Sequence, residues 1–261
     1  MLRLILLIFT SLTSLSNATA HDSVSVNTDS AAMTDTCSVP ERMTTFRAKD
    51  IILPGALIAI GASGMIDGWG RRADNIHKYE VNEWRHWNMF RWDNIIQYAP
   101  SIMGISMNLA GVKSKYSRTD RWIVRVTSFA LMSATTYGLK TVIRETRPSG
   151  EDNDAFPSGH TATAFQGAEL VRMEYGGWYG VAAYAMAVAV GVQRFTSDKH
   201  WVHDVVAGAG IGILSARASF WLLPAERRLL NRWLGKKSTA VVLPYYDSQS
   251  GGIGGSFAMT F

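Results

Sequence analysis

The sequence predicts an all-α fold: an antiparallel bundle of about six helices, set in a membrane, with a short C-terminal β-hairpin. Three observations predict it. The chain is 47% hydrophobic and only 18% charged. Its mean hydropathy of +0.02 is high for a soluble protein yet low for one made only of bilayer-spanning helices. From Ile51 onward, long apolar stretches alternate with polar junctions, and none shows the strict period-two alternation of a half-buried strand. At 261 residues, one large domain with its own core is expected.

Residues 1–20, MLRLILLIFTSLTSLSNATA, place Arg3 before an apolar run and end in Ala18-Thr19-Ala20. This is the layout of a secretory signal cleaved after Ala20, with an uncleaved membrane anchor as the other reading. Residues 21–50 read as a polar leader. It holds Cys37, the one cysteine, so an intrachain disulfide and a cysteine-based metal site are both excluded.

The helical domain is expected over 51–223. Ile51–Ile66 carries no charge, Asn94–Val112 is charge-free for 19 residues, and Trp122–Ile143 is interrupted only by Arg125 and Lys140. Further apolar segments begin at His160, Trp178 and Val205, the last running to about Leu223. Four or five of these are long enough to span or nearly span a bilayer. Because Glu169, Arg172 and Arg217 lie inside such segments, a compact soluble or peripheral bundle is the competing arrangement. Between the first two helices, VNEWRHWNMFRWDN puts Trp84, Trp87 and Phe90 on one helical face beside Arg85 and Arg91. That mixture suits either a membrane interface or a lid over the bundle. Residues 224–261 read as a basic tail ending in β-formers on either side of a Gly/Ser turn.

The net charge of +5 and pI near 9.4 point to an anionic partner. Low polarity, nine tryptophans and the lack of a basic arm argue against nucleic acid, leaving a membrane surface or a phosphorylated substrate. No obligate protein partner is evident.

Three stretches share a chemical logic. KTVIRETRP separates Lys140 from Arg147 by six intervening residues, with Pro148 expected to end the third helix. Pro157-Ser158-Gly159-His160 opens the fourth helix, and RFTSDKHWVHD joins Arg194, at the end of the fifth, to His200 and Asp204 at the start of the sixth. In an antiparallel bundle these four helix ends lie on one face. Three cations, two histidines, a serine and an aspartate then converge with two helix N-termini, an arrangement that suits phosphate. Asp204, four residues after His200, can orient its imidazole.

In this order, K-x6-R-P, P-S-G-H and R-x5-H-x3-D resemble the three-part motif of the type 2 phosphatidic acid phosphatase (PAP2) superfamily. That superfamily includes membrane lipid phosphatases, soluble bacterial acid phosphatases and vanadium haloperoxidases. The resemblance spans about Ile51 to Leu223. It implies that Lys140, Arg147 and Arg194 bind phosphate, that Ser158 and Gly159 complete the pocket, that His160 is the general acid, and that His200 is a nucleophile held by Asp204. It implies no cofactor and no metal, with His203 only a neighbour. One departure is Gln193, where the family usually has serine. The expected substrate is a phosphorylated lipid (lipid A, undecaprenyl diphosphate or phosphatidate-like). The alternatives are a secreted acid phosphatase and a vanadate-dependent haloperoxidase.

The junctions opposite the catalytic face carry Lys113, Lys115, Arg118 and Arg121, then Arg227, Arg228, Arg232, Lys236 and Lys237. By the positive-inside rule that end is cytoplasmic and the site faces the periplasm of a bacterial envelope, from the inner membrane. A cleaved signal would instead place residue 21 outside, which leaves three alternatives: the first helix does not fully span, the N-terminal run is not cleaved, or the bundle is peripheral.

Overall fold

A computed structural model of the chain describes residues 39–72, 93–150, 152–233, 239–247 and 252–260. The signal-like segment, Cys37 and almost all of the aromatic stretch at 81–94 lie outside the described residues. From 39 to 233 the described chain is helical: α1 (Glu41–Thr44), α2 (Ala48–Asp67), α3 (Asp93–Ile96), α4 (Ala99–Leu109), α5 (Arg118–Ile143), α6 (Gly159–Tyr175), α7 (Gly177–Thr196) and α8 (Val202–Trp233). Beyond it, β1 (Thr239–Asp247) pairs antiparallel with β2 (Gly252–Thr260), Thr239 opposite Thr260.

The middle of the bundle is α6, which packs against α4, α5, α7 and α8. Its sequence explains why it can be enclosed on several sides. Ala162, Ala164, Gly167 and Ala168 are small enough for neighbouring backbones to come close. Ala164, Ala168 and Val171 meet Ala183, Ala187 and Val190 of α7, while Leu170 joins Val124 of α5 and Phe220 of α8 in a second cluster. The polar residues enclosed with them are bonded: Arg172 and Arg217 both donate to Glu169, and Arg121 and Arg125 both pair with Glu174.

Contact between α8 and α6 is closest at two glycines four residues apart. A β-carbon on Gly208 would lie 2.5 Å from the Ser158 carbonyl oxygen, and one on Gly212 would lie 2.3 Å from that of Ala162. Backbone therefore meets backbone where α6 begins. α2 packs along the same helix, and a β-carbon on Gly61 would collide with the backbone at Ala207.

Several boundaries differ from the sequence expectation. The apolar stretch from Asn94 breaks into α3 and α4, because Pro100 seats at the start of a new helix after the turn at Gln97–Tyr98. α5 ends at Ile143, not at Pro148; Arg144 adopts a left-handed conformation (φ 51°) and its N–H caps Lys140. Arg147 therefore stands on a loop. The last helix runs through Pro224 to Trp233, ten residues past Leu223, so Arg227 lies on it and pairs with Asp120.

Among the described residues two helices, Ala48–Asp67 and Val202–Arg232, are long and apolar enough to cross a membrane, against the four or five expected. Arg118, Arg121, Arg125 and Lys140 lower the hydropathy of α5, and Glu169, Arg172 and Glu174 that of α6. α2 turns most of its surface outward, exposing Ile52, Leu53, Ile60 and Ile66, whereas α8 is mostly enclosed by its neighbours.

Candidate active site

The loop between α5 and α6 is bound to the start of α8 through backbone groups. The Ser158 N–H donates to the Asp204 carbonyl (3.1 Å), and the Ala155 carbonyl accepts from His200 Nδ1 (2.8 Å). A carbonyl can only accept, so Nδ1 carries the proton and the neutral ring keeps its lone pair on Nε2. His200 is 2% exposed. Burial, and then the charges of Lys140, Arg194 and Arg147, hold its pKa well below the ordinary histidine value, with the Ala155 bond opposing. A buried, neutral imidazole ringed by cations is the central feature of the site.

Asp204 lies 3.6 Å from His200 Nδ1, beyond a hydrogen bond, and its Oδ2 accepts the Trp201 backbone N–H at 2.8 Å. The sequence reading gave Asp204 the task of holding the ring. Here the Ala155 carbonyl holds it, and the carboxylate stands behind. On its other side, Asp204 Oδ1 is 3.4 Å from His203 Nε2, which is also 3.1 and 3.0 Å from the two Glu145 oxygens. Glu145 in turn pairs with Arg71 at 3.3 Å. His203 is therefore more than a neighbour: it links two buried carboxylates. Glu145, His203 and Asp204 bring one ligand atom each within 4.8 Å of one another; His203 bonds to Glu145, while Asp204 Oδ1 and His203 Nδ1 are buried with no hydrogen-bond partner among the described residues.

The cations are arranged by an acid that the motif reading missed. Asp154 accepts from Arg147 Nε at 2.7 Å, its Oδ2 lies 3.8 Å from Lys140 Nζ, and its carbonyl accepts from the same ammonium. Burial alone would raise the Asp154 carboxyl, but the Arg147 bond and the charges of Lys140 and Arg147 outweigh it and hold it below the usual carboxylate range. Arg147 also reaches Asp152 at 3.6 Å. Arg194, near the end of α7, is buried.

Ser158 precedes α6, fully buried, with its hydroxyl 2.9 Å from that of Thr161. Gly159 opens the helix with nothing within 4 Å of where a β-carbon would sit. His160, half-buried in the first turn, has Nε2 3.0 Å from Asn94 Oδ1 of α3. Backbone contacts join the Ser158 turn to His200 and Asp204, Asp154 joins Lys140 to Arg147, and the charges of Lys140, Arg194 and Arg147 act on His200. No direct bond joins His160 to His200 among the described residues. Asn94 lay at the end of an aromatic stretch, and its only signal was its place at a helix start.

Comparisons with known proteins follow this geometry. Over 134 residues, half of this chain, it is 36% identical to a lipid A 1-phosphatase of Porphyromonas gingivalis, covering 30% of that protein. Over 76 residues it is 38% identical to the bacitracin transport permease protein BcrC of Bacillus licheniformis, covering 36% of it. The chain thus spans about a third of the length of these curated relatives. The crystal structure of Aquifex aeolicus LpxE aligns with 49% of this chain and 82% of its own, at 23% identity and a TM-score of 0.39. The family profile of the PAP2 superfamily matches residues 121–228, which hold Lys140, Arg147, Ser158, His160, Arg194, His200 and Asp204. Over those residues the chain is similar to the PAP2 superfamily.

Proposed function

We propose that the chain is a lipid phosphatase that works through a phosphohistidine on His200. The single observation that carries this is the 2.8 Å contact of its Nδ1 with the Ala155 carbonyl, which leaves Nε2 as the lone-pair nitrogen of a neutral ring that Lys140, Arg194 and Arg147 bias against protonation. A nucleophile must keep its lone pair, and a phosphate must be held by positive charge; this arrangement does both.

In the proposed reaction, the cations and the N–H groups at the start of α6 hold the non-bridging oxygens. Nε2 attacks phosphorus, forming a P–N bond as the P–O bond to the leaving group breaks. His160 gives its proton to the departing oxygen, then takes one from the water that cleaves the P–N bond and releases phosphate. As positive charge develops on the His200 ring, the Ala155 carbonyl and the Asp204 carboxylate behind it stabilise the Nδ1–H side. The similarity to a lipid A 1-phosphatase favours a phosphorylated glycolipid, with other lipid monoesters and diphosphates in the same class. The outward-facing Ile52, Leu53, Ile60 and Ile66 of α2 favour a membrane-embedded enzyme, and the basic junctions opposite the site favour an inner-membrane enzyme of the bacterial envelope with its site facing the periplasm. A second reading is a peripheral phosphatase acting on soluble esters, supported by the charged residues inside α5 and α6, which keep these helices below the hydropathy of a span.

The test uses the purified full chain with phosphorylated lipid in mixed micelles. Wild type should release phosphate in the presence of EDTA, and an acid-quenched sample should carry acid-labile phosphate on His200. His200→Ala should lose both. Retained turnover in that variant sinks the nucleophile, and turnover that needs an added divalent ion reassigns Glu145, His203 and Asp204 as metal ligands.

A further inference from the structure

A second concentration of positive charge lies far from this site. Arg217 follows Asp204 by 13 positions along α8, and Arg172 follows His160 by 12 along α6. At about 1.5 Å per helical residue, both stand roughly 20 Å from the catalytic end. There they line a cavity of about 560 Å³ with Arg42, Arg47, Lys49 and Lys115.

Among the described residues, six cations line this cavity against one acid, Asp50. The two inner arginines are fixed. Glu169, fully buried, accepts from Arg172 at 2.6 and 2.7 Å and from Arg217 at 2.8 Å, while Tyr184 donates to the same carboxylate. That carboxylate neutralises only one of the two. No hydrogen bond or ion pair engages the side chains of Arg42, Arg47 or Lys49 among the described residues. Lys115 aside, the five other cations exceed Asp50 and Glu169 by three charges around a concave space. A cleft lined by one sign of charge concentrates its potential and selects an anion.

The rest of the lining indicates what the anion is attached to. Trp221 and Met43 form part of the wall, and Trp221 packs edge-on against Phe46 with ring centroids 5.0 Å apart. Phe46 is exposed, and within a turn of Lys49 the outer surface of α2 becomes apolar at Ile52 and Leu53. Cations in a hollow beside an apolar outer helix match a charged head joined to a hydrocarbon tail.

We propose that this cavity binds the phosphate group of an anionic amphiphile at the end of the bundle opposite the catalytic histidines. The site is separate from the catalytic chemistry and does not depend on it. A phosphodiester head enters between Arg47, Lys49 and the fixed pair Arg172 and Arg217, and its chains lie along α2.

The experiment measures binding to the full chain in neutral detergent by calorimetry. Three probes are compared: dioctanoyl phosphatidylglycerol, dioctanoyl phosphatidylcholine and inorganic phosphate. The anionic lipid should bind at least tenfold more tightly than the zwitterionic one. Arg47→Ser combined with Lys49→Ser should abolish that preference, and because both side chains are surface-exposed or partly so, the fold should survive, as circular dichroism would check. Arg147→Ala, which removes a cation from the catalytic end, should leave the preference intact. Equal binding of the two lipids, or a preference lost with Arg147→Ala and kept by the double variant, overturns the proposal. Inorganic phosphate displacing the anionic lipid at comparable concentration overturns the amphiphile and leaves a site for a free anion.

Discussion

At the scale of single residues, protonation governs the site. His200 is held neutral by its burial and by Lys140, Arg194 and Arg147, so its folded pKa lies below that of the unfolded chain. Between those two values the unfolded state binds the extra proton. Stability therefore rises with pH across that window and falls as pH drops below the ordinary value of 6.5. In the proposed reaction the same depression keeps Nε2 unprotonated in mildly acidic solution. The acid limb of the kcat/KM profile assigned to His200 should thus fall below pH 6.5, and Lys140→Met should shift it towards neutrality as one repelling charge is removed. A limb unmoved by the substitution would show that another group titrates. The histidines and cations of this site were legible in the sequence because few residue types do their chemistry, and their spacing matched helix ends. Asp154 was not, being one of several acids in a polar loop, and Glu145 was not, because nothing in KTVIRETRP says that its carboxylate turns towards His203.

At the scale of elements, what matters is how closely α6 approaches α8. Gly208 lies against the Ser158 carbonyl, which precedes the first turn of α6 and is backbone that cannot rotate away. Gly208→Ala should displace it, costing about 1–3 kcal/mol of stability as an overpacked contact. Ser158 and His160 move with that turn, and a displacement of about 1 Å in reacting geometry can cost about 100-fold in rate. Turnover should therefore fall much further than the melting temperature suggests, with both measured on the same preparation. A variant whose rate loss merely follows its unfolded fraction would assign the glycine to packing alone. Small residues in these stretches announced close packing, but not which partner each would meet. The breaks between α3 and α4 and after Ile143 were missed for a related reason: apolar content was continuous or nearly so, while Pro100 and the left-handed Arg144 redirected the backbone.

At the scale of the whole molecule, two helices among the described residues meet the length and hydropathy of a span, and α2 exposes most of its apolar surface. If α2 lies in lipid, alkaline carbonate should leave the full chain in the membrane pellet. Replacing Ile52, Leu53, Ile60 and Ile66 together with polar residues should release much of it. Release of the wild type would favour the peripheral reading. The helical class of the fold was legible because apolar runs of helical length dominate the chain; the number of spans was not, since interior charges such as Glu169 are satisfied by partners that lie far away in sequence. The group that sets the His200 tautomer is the Ala155 carbonyl, which every amino acid possesses, and residue 155 is already alanine. An alanine scan is blind to it by construction. Mapping side chains one by one would attribute the choice of attacking nitrogen to Asp204, and only an ester in place of the 155–156 amide, which weakens that carbonyl as an acceptor, would reveal the backbone as its source.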